Sequence, residues 1–203
     1  MSINPATGYA FASKYQIGSS INNDAYISHS SALEYYGYQN QVSYVCYISS
    51  SSRFNTFEYE GIIYKQISIK SNKRIISPSY TELIKITDIE KTVVDSIQMS
   101  GSIISLEELI YSLEIIPKLN EKKITEYLED YNIQALYQKT GYLLTLFNDT
   151  LMLSEFFFES IKKRILKGVV YISDDAKQGG IFIKAYQVVV PKWLEKRGKL
   201  HEI

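Results

Sequence analysis

The spacing of apolar residues changes at Thr87, and this change limits the folds that the chain can adopt. Before Thr87, short apolar and aromatic runs such as 42–48 are typical of strands. After it, apolar residues fall at Ile89, Val93 and Ile97, which is the period of an amphipathic helix. Strands followed by a series of helices indicate an α+β fold, in which helices and sheet are segregated along the chain.

The predicted elements run from strands to helices to a closing hairpin. Residues 9–27 favour irregular or extended backbone, and 49–52 and 70–80 favour loops. Strands are predicted at 25–27, 42–48, 57–59, 62–69, 83–86, 169–172, 181–184 and 186–190, and helices at 31–36, from 87, from 105, at 120–131, at 133–147 and at 151–167. We expect one domain over 1–203, strand-rich over 9–86, helical over 87–167, with a hairpin and basic tail over 168–203. Its sheet is expected to be small and mixed or antiparallel, packed with a bundle of four to five helices.

Two of the predicted helices start with a hydroxyl residue that is followed three positions later by a glutamate. Thr87 with Glu90 and Ser105 with Glu108 both fit this capping-box pattern. We therefore expect helices to begin directly after Thr87 and Ser105.

Cysteine usage and hydropathy exclude several classes of protein. Cys46 is the single cysteine, so no intramolecular disulfide or multi-cysteine metal site can form. It lies in an apolar run, which predicts a buried and unreactive thiol. The N-terminal residues lack the basic start and apolar run of a signal peptide, and no stretch approaches the roughly 20 apolar residues of a membrane span. We expect a soluble, cytoplasmic protein without a membrane partner.

Catalytic motifs are missing from the sequence. There is no HExxH, CxxC, P-loop or GxSxG pattern, although His29 could pair with Cys46 or a serine as a nucleophilic site. The alternative of a metal-dependent nucleic-acid-processing enzyme rests on Glu58 and Glu60, which alternate on one face of a predicted strand, and on Asp175 in a predicted turn. We expect a non-enzymatic chain with no metal and no cofactor.

The 18 tyrosines raise a further alternative. Several of them, including Tyr35, Tyr36 and Tyr38, lie in the strand-rich part, where tyrosine covers half-buried sheets well. Packing on the sheet is therefore the simplest interpretation. The alternatives are stacking on single-stranded nucleic acid and an exposed aromatic patch that binds another protein.

Charge is distributed unevenly although the chain is formally neutral. Residues 101–160 hold ten acidic and four basic side chains, whereas 161–203 hold ten basic and four acidic ones. A basic surface attracts phosphate backbones without reading sequence, and the alternative is neutralisation by the acidic helices within the fold. The candidate DNA phosphate contacts are Lys162, Lys163, Arg164, Lys167, Lys192, Lys196, Arg197 and Lys199.

Four segments in order resemble the AbiEi-type antitoxin family. Residues 26–37 resemble its YIS-x-x-SAL-x-x-x-G element, 86–95 its A-T-x-E-K-A-L-x-D helix start, and 132–144 its N-x-x-x-L-x-x-R-x-G-Y-L-L helix. Residues 186–191 are similar to the strand that precedes its terminal proline. These segments span most of the chain, and we interpret their residues as structural, not catalytic. The matching positions are Ser28, Ala32, Leu33, Gly37, Thr87, Glu90, Lys91, Asp95, Gly141 and Tyr142.

The resemblance implies a function in phage defence. Members are the antitoxins of AbiE-like toxin–antitoxin or abortive-infection systems; they repress their own operon as DNA-binding transcriptional regulators, and a nucleotidyltransferase-like toxin is the partner gene product. Complete members carry an N-terminal winged helix before the matched region. The first 25 residues of this sequence are too few for one, so we expect the effector part of the family without its DNA-reading module.

Overall fold

The structure is a computed structural model that describes residues 2–3, 10–69, 75–76 and 83–200, with side chains at 12–69, 75 and 83–196. The chain forms two compact units, Met1–Thr92 and Val93–Ile203. Both units combine helices with strands, which confirms the α+β class. The single domain expected from the sequence stays a prediction.

The first unit consists mainly of strands. In chain order its elements are β1 (Ser2–Ile3), β2 (Ala10–Phe11), α1 (Lys14–Ser20), β3 (Tyr26–Ile27), α2 (His29–Tyr35), β4 (Val45–Ser50), β5 (Phe57–Tyr59), β6 (Ile62–Ser68), β7 (Ile75–Ile76) and β8 (Ile86–Thr87). Strands β1 and β2 pair with each other, and the remaining strands form a mixed sheet in the order β5-β6-β4-β3-β8-β7. In this sheet β4 runs parallel to β6, and β3 runs parallel to β8.

Helix α1 lies where the sequence predicted irregular or extended backbone, so that prediction was wrong. The hydroxyl of Ser13 accepts from the backbone N–H of Gln16 at 3.3 Å, and the Gln16 side chain accepts from the N–H of Ser13 at 3.0 Å. This reciprocal capping box supplies the helix start. The sequence did not indicate this helix clearly, because the capping box uses glutamine and is followed by Gly18, a residue type that is unfavourable in helices.

Strand β4 extends through residues that were predicted to form a loop. Ser49 and Ser50 belong to the strand and are fully buried. Each hydroxyl has a partner, since Ser49 Oγ lies 2.7 Å from Ser28 Oγ and Asn22 Nδ2 donates to Ser50 Oγ at 3.0 Å. These hydrogen bonds offset the cost of burying serine. Strand β7 also lies in a segment that was predicted to be a loop.

The core of the first unit lies between the sheet and the helices α1 and α2. Its centre is fully buried, and Tyr64 of β6 stacks on Phe57 of β5 with ring centroids 4.9 Å apart. The central residues are Ala25, Ile27, Ala32, Cys46, Ile48, Tyr64, Ile84 and Ile86.

Helix α3 (Ile89–Gln98) spans the boundary at Thr92, and the second unit continues with more helices. Its elements are α4 (Leu106–Ile115), α5 (Glu121–Tyr131), α6 (Gln134–Thr145), α7 (Asn148–Leu151), α8 (Glu155–Arg164), β9 (Val170–Tyr171), a 3-10 helix (Asp175–Gln178), β10 (Ile181–Ile183), β11 (Val188–Val190) and α9 (Lys192–Leu200). Helix α6 packs against α7, α8, β9 and β11.

Helix starts in the second unit follow the sequence signals closely. The capping box of Ser105 and Glu108 is confirmed, and Asn120 caps α5. The single helix predicted at 151–167 was wrong in its extent. A turn at Met152, with φ 58°, separates α7 from α8, and Ser154 then caps α8 through the N–H of Phe157.

The predicted closing hairpin is confirmed as β10 and β11, which pair antiparallel, while β9 lies parallel to β11 on its other side. No helix or strand was predicted for the basic tail, and its residues form α9. Among the described residues, no helix has the length and apolarity that a bilayer span requires.

Candidate functional site

The two segments that carry the strongest family resemblance meet in the sheet of the first unit. Strands β3 and β8 are parallel neighbours, with Ile27 paired to Ile86. Each strand is followed at once by a helix, α2 or α3. The hydroxyl of Tyr36, at the end of α2, donates to the carbonyl of Thr87 at 2.8 Å. The two segments therefore form one junction in which two strand ends and two helix starts lie side by side.

Buried hydroxyls and an imidazole line the β3 side of this junction. Ser28 Oγ lies 2.7 Å from Ser49 Oγ and 2.8 Å from Nδ1 of His29. Ser28 occupies the N-cap position of α2, as predicted, but its side chain makes no cap hydrogen bond because it is directed to Ser49 and His29. His29 has φ 53°, a conformation that costs energy for any residue other than glycine.

The Ser28–His29 contact resembles a nucleophilic pair only in its residue types. Ser28 is fully buried and His29 is 3% exposed, so a substrate carbonyl cannot reach the hydroxyl. The pair instead satisfies polar groups inside the sheet.

On the β8 side, the predicted capping box of Thr87 and Glu90 is wrong in its cap residue. Asp88 holds that role, since its Oδ1 accepts from the N–H of Lys91 at 2.8 Å. The Thr92 hydroxyl donates to the carbonyl of Asp88 at 2.7 Å and lies 2.7 Å from the Thr87 hydroxyl. Asp88 displaces Thr87 because Thr87 is the last residue of β8, with its hydroxyl directed into this buried pair.

The other family-matching residues of the first unit shape its helices. Ala32 and Leu33 are fully buried on α2, and Gly37 ends that helix with φ 78°. Tyr38 then donates its backbone N–H to the carbonyl of Leu33 at 2.8 Å. On α3, Glu90 and Lys91 are both buried in spite of their charge.

The family-matching residues of the second unit are buried as well. Asp95 accepts a hydrogen bond of 2.6 Å from the hydroxyl of Tyr131. Gly141 allows close packing, because a Cβ there would lie 2.6 Å from the ring of Tyr186. Tyr142 packs edge-on against Tyr186, and burial raises the pKa of its hydroxyl, with a smaller contribution from Glu195.

Cys46 is fully buried, which confirms the predicted burial, and burial raises the pKa of its thiol to about 12. The carboxylates of the nuclease alternative are dispersed. Glu58 lies on β5, Glu60 lies in the following turn with φ 51° and not on the strand face predicted for it, and Asp175 lies in the 3-10 helix. Within the described residues, no cluster of three metal-ligating side chains is present.

Two of the basic candidates on α8 already have acidic partners. Lys162 pairs with Glu159 at 2.9 Å and lies over the ring of Tyr186, and Arg164 pairs with Glu129 of α5 at 2.9 Å. These residues also lie in the last turn of α8, where cations stabilise the helix dipole. Neutralisation within the fold is thus realised for part of the basic segment.

The remaining basic candidates differ in their environment. Lys163, Lys167, Lys192 and Lys196 are exposed. They make no ion pair within the described part of the chain, so their charges face solvent. Arg197 and Lys199 lie on α9, outside the residues whose side chains the structure describes.

Sequence reasoning missed a cleft of about 700 Å³ in the second unit. Its walls are the loop before α4, the first turn of α4, one residue of α6 and the segment from Tyr171 to Lys177. The α6 residue is Lys139, a half-buried lysine whose pKa is lowered by burial. Lys139 occupies the arginine position of the segment 132–144, which resembles the family's N-x-x-x-L-x-x-R-x-G-Y-L-L helix, and no other lining residue lies in a matched segment.

Comparison with known proteins gives a likeness at the level of the fold. No protein-family profile matches the chain, and no curated protein matches it. Among solved structures, the chain is similar to the Rv2827c protein from Mycobacterium tuberculosis, with a TM-score of 0.62 and 12% sequence identity. The match covers 90% of this chain and 67% of that one. At this identity the likeness shows a shared fold alone.

Proposed function

We propose that this chain is the antitoxin or regulatory domain of an AbiE-like toxin–antitoxin or phage-abortive-infection system. It acts in the cytoplasm without catalysis, and its genetic partner is a nucleotidyltransferase-like toxin. A basic surface of the second unit contacts DNA phosphates without reading base sequence.

The observation that carries this proposal is the parallel pairing of Ile27 with Ile86. It joins the two segments with the strongest family resemblance into one structural unit, although about sixty positions separate them in the sequence. Segments that resemble a family by chance have no reason to lie side by side. Their adjacency supports the resemblance, and the resemblance supplies the function.

The burial of the family-matching residues supports a non-catalytic role. Ser28 and Thr87 are fully buried; Ser28 contacts Ser49 and His29, and Thr87 contacts Thr92. A catalytic group has to reach its substrate, whereas these side chains stabilise helix starts and strand ends.

Growth rescue tests the antitoxin function. The nucleotidyltransferase-like toxin encoded beside this gene is expressed from an inducible promoter, with or without the full chain. We expect toxin alone to arrest growth and co-expression to restore it. Continued arrest in the presence of folded chain, or a gene neighbourhood without such a toxin, would refute the proposal.

Salt-dependent binding to duplex DNA tests the phosphate contacts. Replacing Lys163 and Lys167 by glutamine should lower the affinity and reduce the slope of log affinity against log salt by about two, one for each lost contact. Replacing Lys118 and Lys122, which are exposed in the acidic segment, removes the same charge and should leave the slope unchanged. Equal losses in both double variants would show a general charge effect and no defined surface.

A further inference from the structure

The cleft of the second unit has rigid walls. In the loop before α4, the carbonyl of Met99 accepts from the backbone N–H groups of Ser102 and Ile103 at 3.1 and 3.0 Å. Gly101, with φ 88°, donates its N–H to the carbonyl of Ile104 at 2.8 Å. A loop held by this many backbone bonds keeps its shape when a ligand enters, which reduces the entropy cost of binding.

The opposite wall is fixed with equal firmness. The backbone N–H of Ile172 donates to the carbonyl of Val189 at 3.0 Å, which ties this segment to β11. The 3-10 helix is closed by Gly180, whose N–H donates to the carbonyl of Ala176 at 3.0 Å. Any Cβ at Gly180 would lie 2.6 Å from that same oxygen, so this turn requires glycine.

Lys139 is placed in the cleft by its neighbours on α6. The side-chain amide of Gln138 donates to the carbonyls of Gly168 and Gln187 at 2.7 and 3.1 Å. These two bonds fix the rotation of α6 against the residues that precede β9 and β11. They hold the next residue, Lys139, at the cleft wall.

Three charged side chains of the cleft have no partner. Lys139, Glu107 and Asp175 make no ion pair or hydrogen bond within the part of the chain that the structure describes. By contrast, Asp174 and Lys177 form an ion pair of 2.6 Å and neutralise each other. Glu107 and Asp175 are exposed to solvent, but Lys139 is half-buried, and an ammonium in that position has lost much of its hydration.

Two hydroxyls of the cleft residues are unsatisfied as well. The Oγ atoms of Ser100 and Ser173 are buried and, among the described residues, have no hydrogen-bond partner. Both serines line the cleft. Because these hydroxyls are enclosed by protein, the polar groups that a ligand in the cleft can reach are the charged side chains.

We propose that this cleft binds a small zwitterionic molecule of the α-amino-acid class. Its carboxylate contacts the ammonium of Lys139, and its ammonium lies towards the carboxylates of Glu107 and Asp175.

The charges of the cleft favour this class over other anions. One unpaired cation lies at the half-buried position and two unpaired carboxylates lie at exposed positions. A phosphate dianion or a nucleic-acid backbone would gain Lys139 but meet both carboxylates, and like charges in a cleft repel strongly. A zwitterion places its carboxylate against Lys139 and its ammonium against the two carboxylates. The volume also lies within the range of about 300–1,000 Å³ that is usual for small-molecule sites.

This inference goes beyond the antitoxin function and is independent of it. Lys139 lies within the family-like segment 132–144, but the cleft includes none of the residues that we interpret as structural and none of the candidate DNA contacts. The rescue and DNA experiments can therefore succeed while the cleft fails to bind, and the reverse holds as well.

Ligand-observed saturation-transfer NMR on the full chain tests the proposal. The proteinogenic L-amino acids are presented in small groups at millimolar concentration, and the amino acid with the strongest signal is then titrated. We expect Lys139→Met to weaken its binding by at least about tenfold, the effect of losing one hydrogen bond to a charged group. Lys163→Met, which removes an exposed lysine from α8, should bind like the wild type.

A second pair of measurements tests the orientation of the ligand. Combining Glu107→Gln with Asp175→Asn should weaken the binding of the free amino acid. The binding of its N-acetyl form should stay unchanged, because only the free amino acid carries an ammonium. Thermal unfolding of each variant confirms that it is folded. If Lys139→Met does not fold, Lys139→Gln replaces it in the experiment.

Three results would overturn the proposal. These are an absence of binding by every amino acid, equal binding by the Lys139 and Lys163 variants, and displacement of the bound amino acid by inorganic phosphate at equal concentration. The last result would show an oxyanion site that does not distinguish zwitterions.

Discussion

Polar side chains are buried in both units, but the two sets differ in whether they have hydrogen-bond partners. At the junction of β3 and β8, Ser28 contacts Ser49 and His29, and Thr87 contacts Thr92, all within 2.8 Å. In the cleft of the second unit, the half-buried Lys139 makes no ion pair or hydrogen bond within the described chain. The polar groups at the junction therefore satisfy one another, whereas the cleft holds a polar group that no other group of the described chain satisfies.

This difference separates structural from binding roles. A network whose members satisfy one another gains nothing from a ligand, because each new bond would replace an existing one. A set of groups that lack partners gains the full benefit of every bond that a ligand supplies. The buried groups at the junction of β3 and β8 therefore stabilise the fold, while the cleft is the better candidate for a ligand.

The largest expected effect tests how far the first unit depends on its internal polar contacts. Lys14 pairs with Glu34 at 2.6 Å, with side chains 12% and 10% exposed, and also donates to the carbonyl of Ser43 at 2.9 Å. Glu34→Gln leaves the ammonium buried without its carboxylate and should destabilise this unit by about 3 kcal/mol. Faster hydrogen exchange of the β4 amides (Val45–Ser50) would measure this loss.

The matched control is the exposed ion pair of the second unit. Glu129→Gln breaks the contact with Arg164, whose side chains are 50% and 59% exposed, and should cost at most about 0.5 kcal/mol. Combining Lys14→Met with Glu34→Leu removes both charges and should recover most of the lost stability. Similar effects of Glu34→Gln and Glu129→Gln would contradict the distinction between buried and exposed pairs.

Much of the fold could be predicted because its signals are local. The cap of α4 at Ser105 and the hairpin of β10 and β11 each depend on a few adjacent residues. Errors arose where distant partners decide the outcome. Ser49 and Ser50 suggested a solvent loop from composition, but Ser28 and Asn22 supply the hydrogen bonds that allow both to be buried in β4. Thr87 lost its predicted capping role to Asp88 in the same way, through its contact with Thr92.

An intermediate effect tests whether the second unit is packed as tightly as the first. Helix α6 approaches Tyr186 and Ile161 so closely at Gly141 that a Cβ would lie 2.6 and 2.8 Å from them. Gly141→Ala should therefore destabilise the second unit by about 2 kcal/mol, because the surrounding rings and helix have to shift. The midpoint of urea unfolding, followed by fluorescence of the single tryptophan, Trp193, measures this change.

Gly168 offers the control, since a Cβ there meets no atom within 4 Å. Gly168→Ala should change the midpoint by less than the equivalent of about 0.5 kcal/mol. If Gly141→Ala proved equally harmless, the second unit would be loosely packed. The unpaired groups of its cleft would then reflect slack packing and not a preformed site.

The candidate cleft could not be predicted from the sequence for a physical reason. Its residues come from a loop, the start of α4, the middle of α6 and the segment before β10, so no spacing connects them. Ser100 and Ser173 are ordinary serines until the fold buries their hydroxyls. The basic candidates were easier to find because charge is visible in the sequence, yet their exposure and the ion pairs of Lys162 and Arg164 emerge only in three dimensions.

The smallest expected effect concerns the burial of Lys139 in the cleft. Burial lowers the pKa of Lys139 from the ordinary 10.5, with no anionic partner in the described chain to offset it. The folded state therefore binds this proton less tightly than the unfolded state. The charged form destabilises the fold at pH values below the lowered pKa, and the penalty disappears as pH rises towards 10.5. Lys139→Met should accordingly stabilise the second unit at neutral pH, by up to about 1 kcal/mol.

The difference in free energy of unfolding between Lys139→Met and the wild type should shrink as pH rises. Because both proteins contain every other titrating group, including Glu107 and Asp175, the contributions of those groups cancel in this difference. Urea unfolding followed at Trp193 from neutral to alkaline pH gives the measurement. Lys163→Met, in an exposed position, should show no such trend. A wild type more stable than Lys139→Met at neutral pH would mean that Lys139 serves the fold, and the contrast between a complete junction and an incomplete cleft would fail at its central residue.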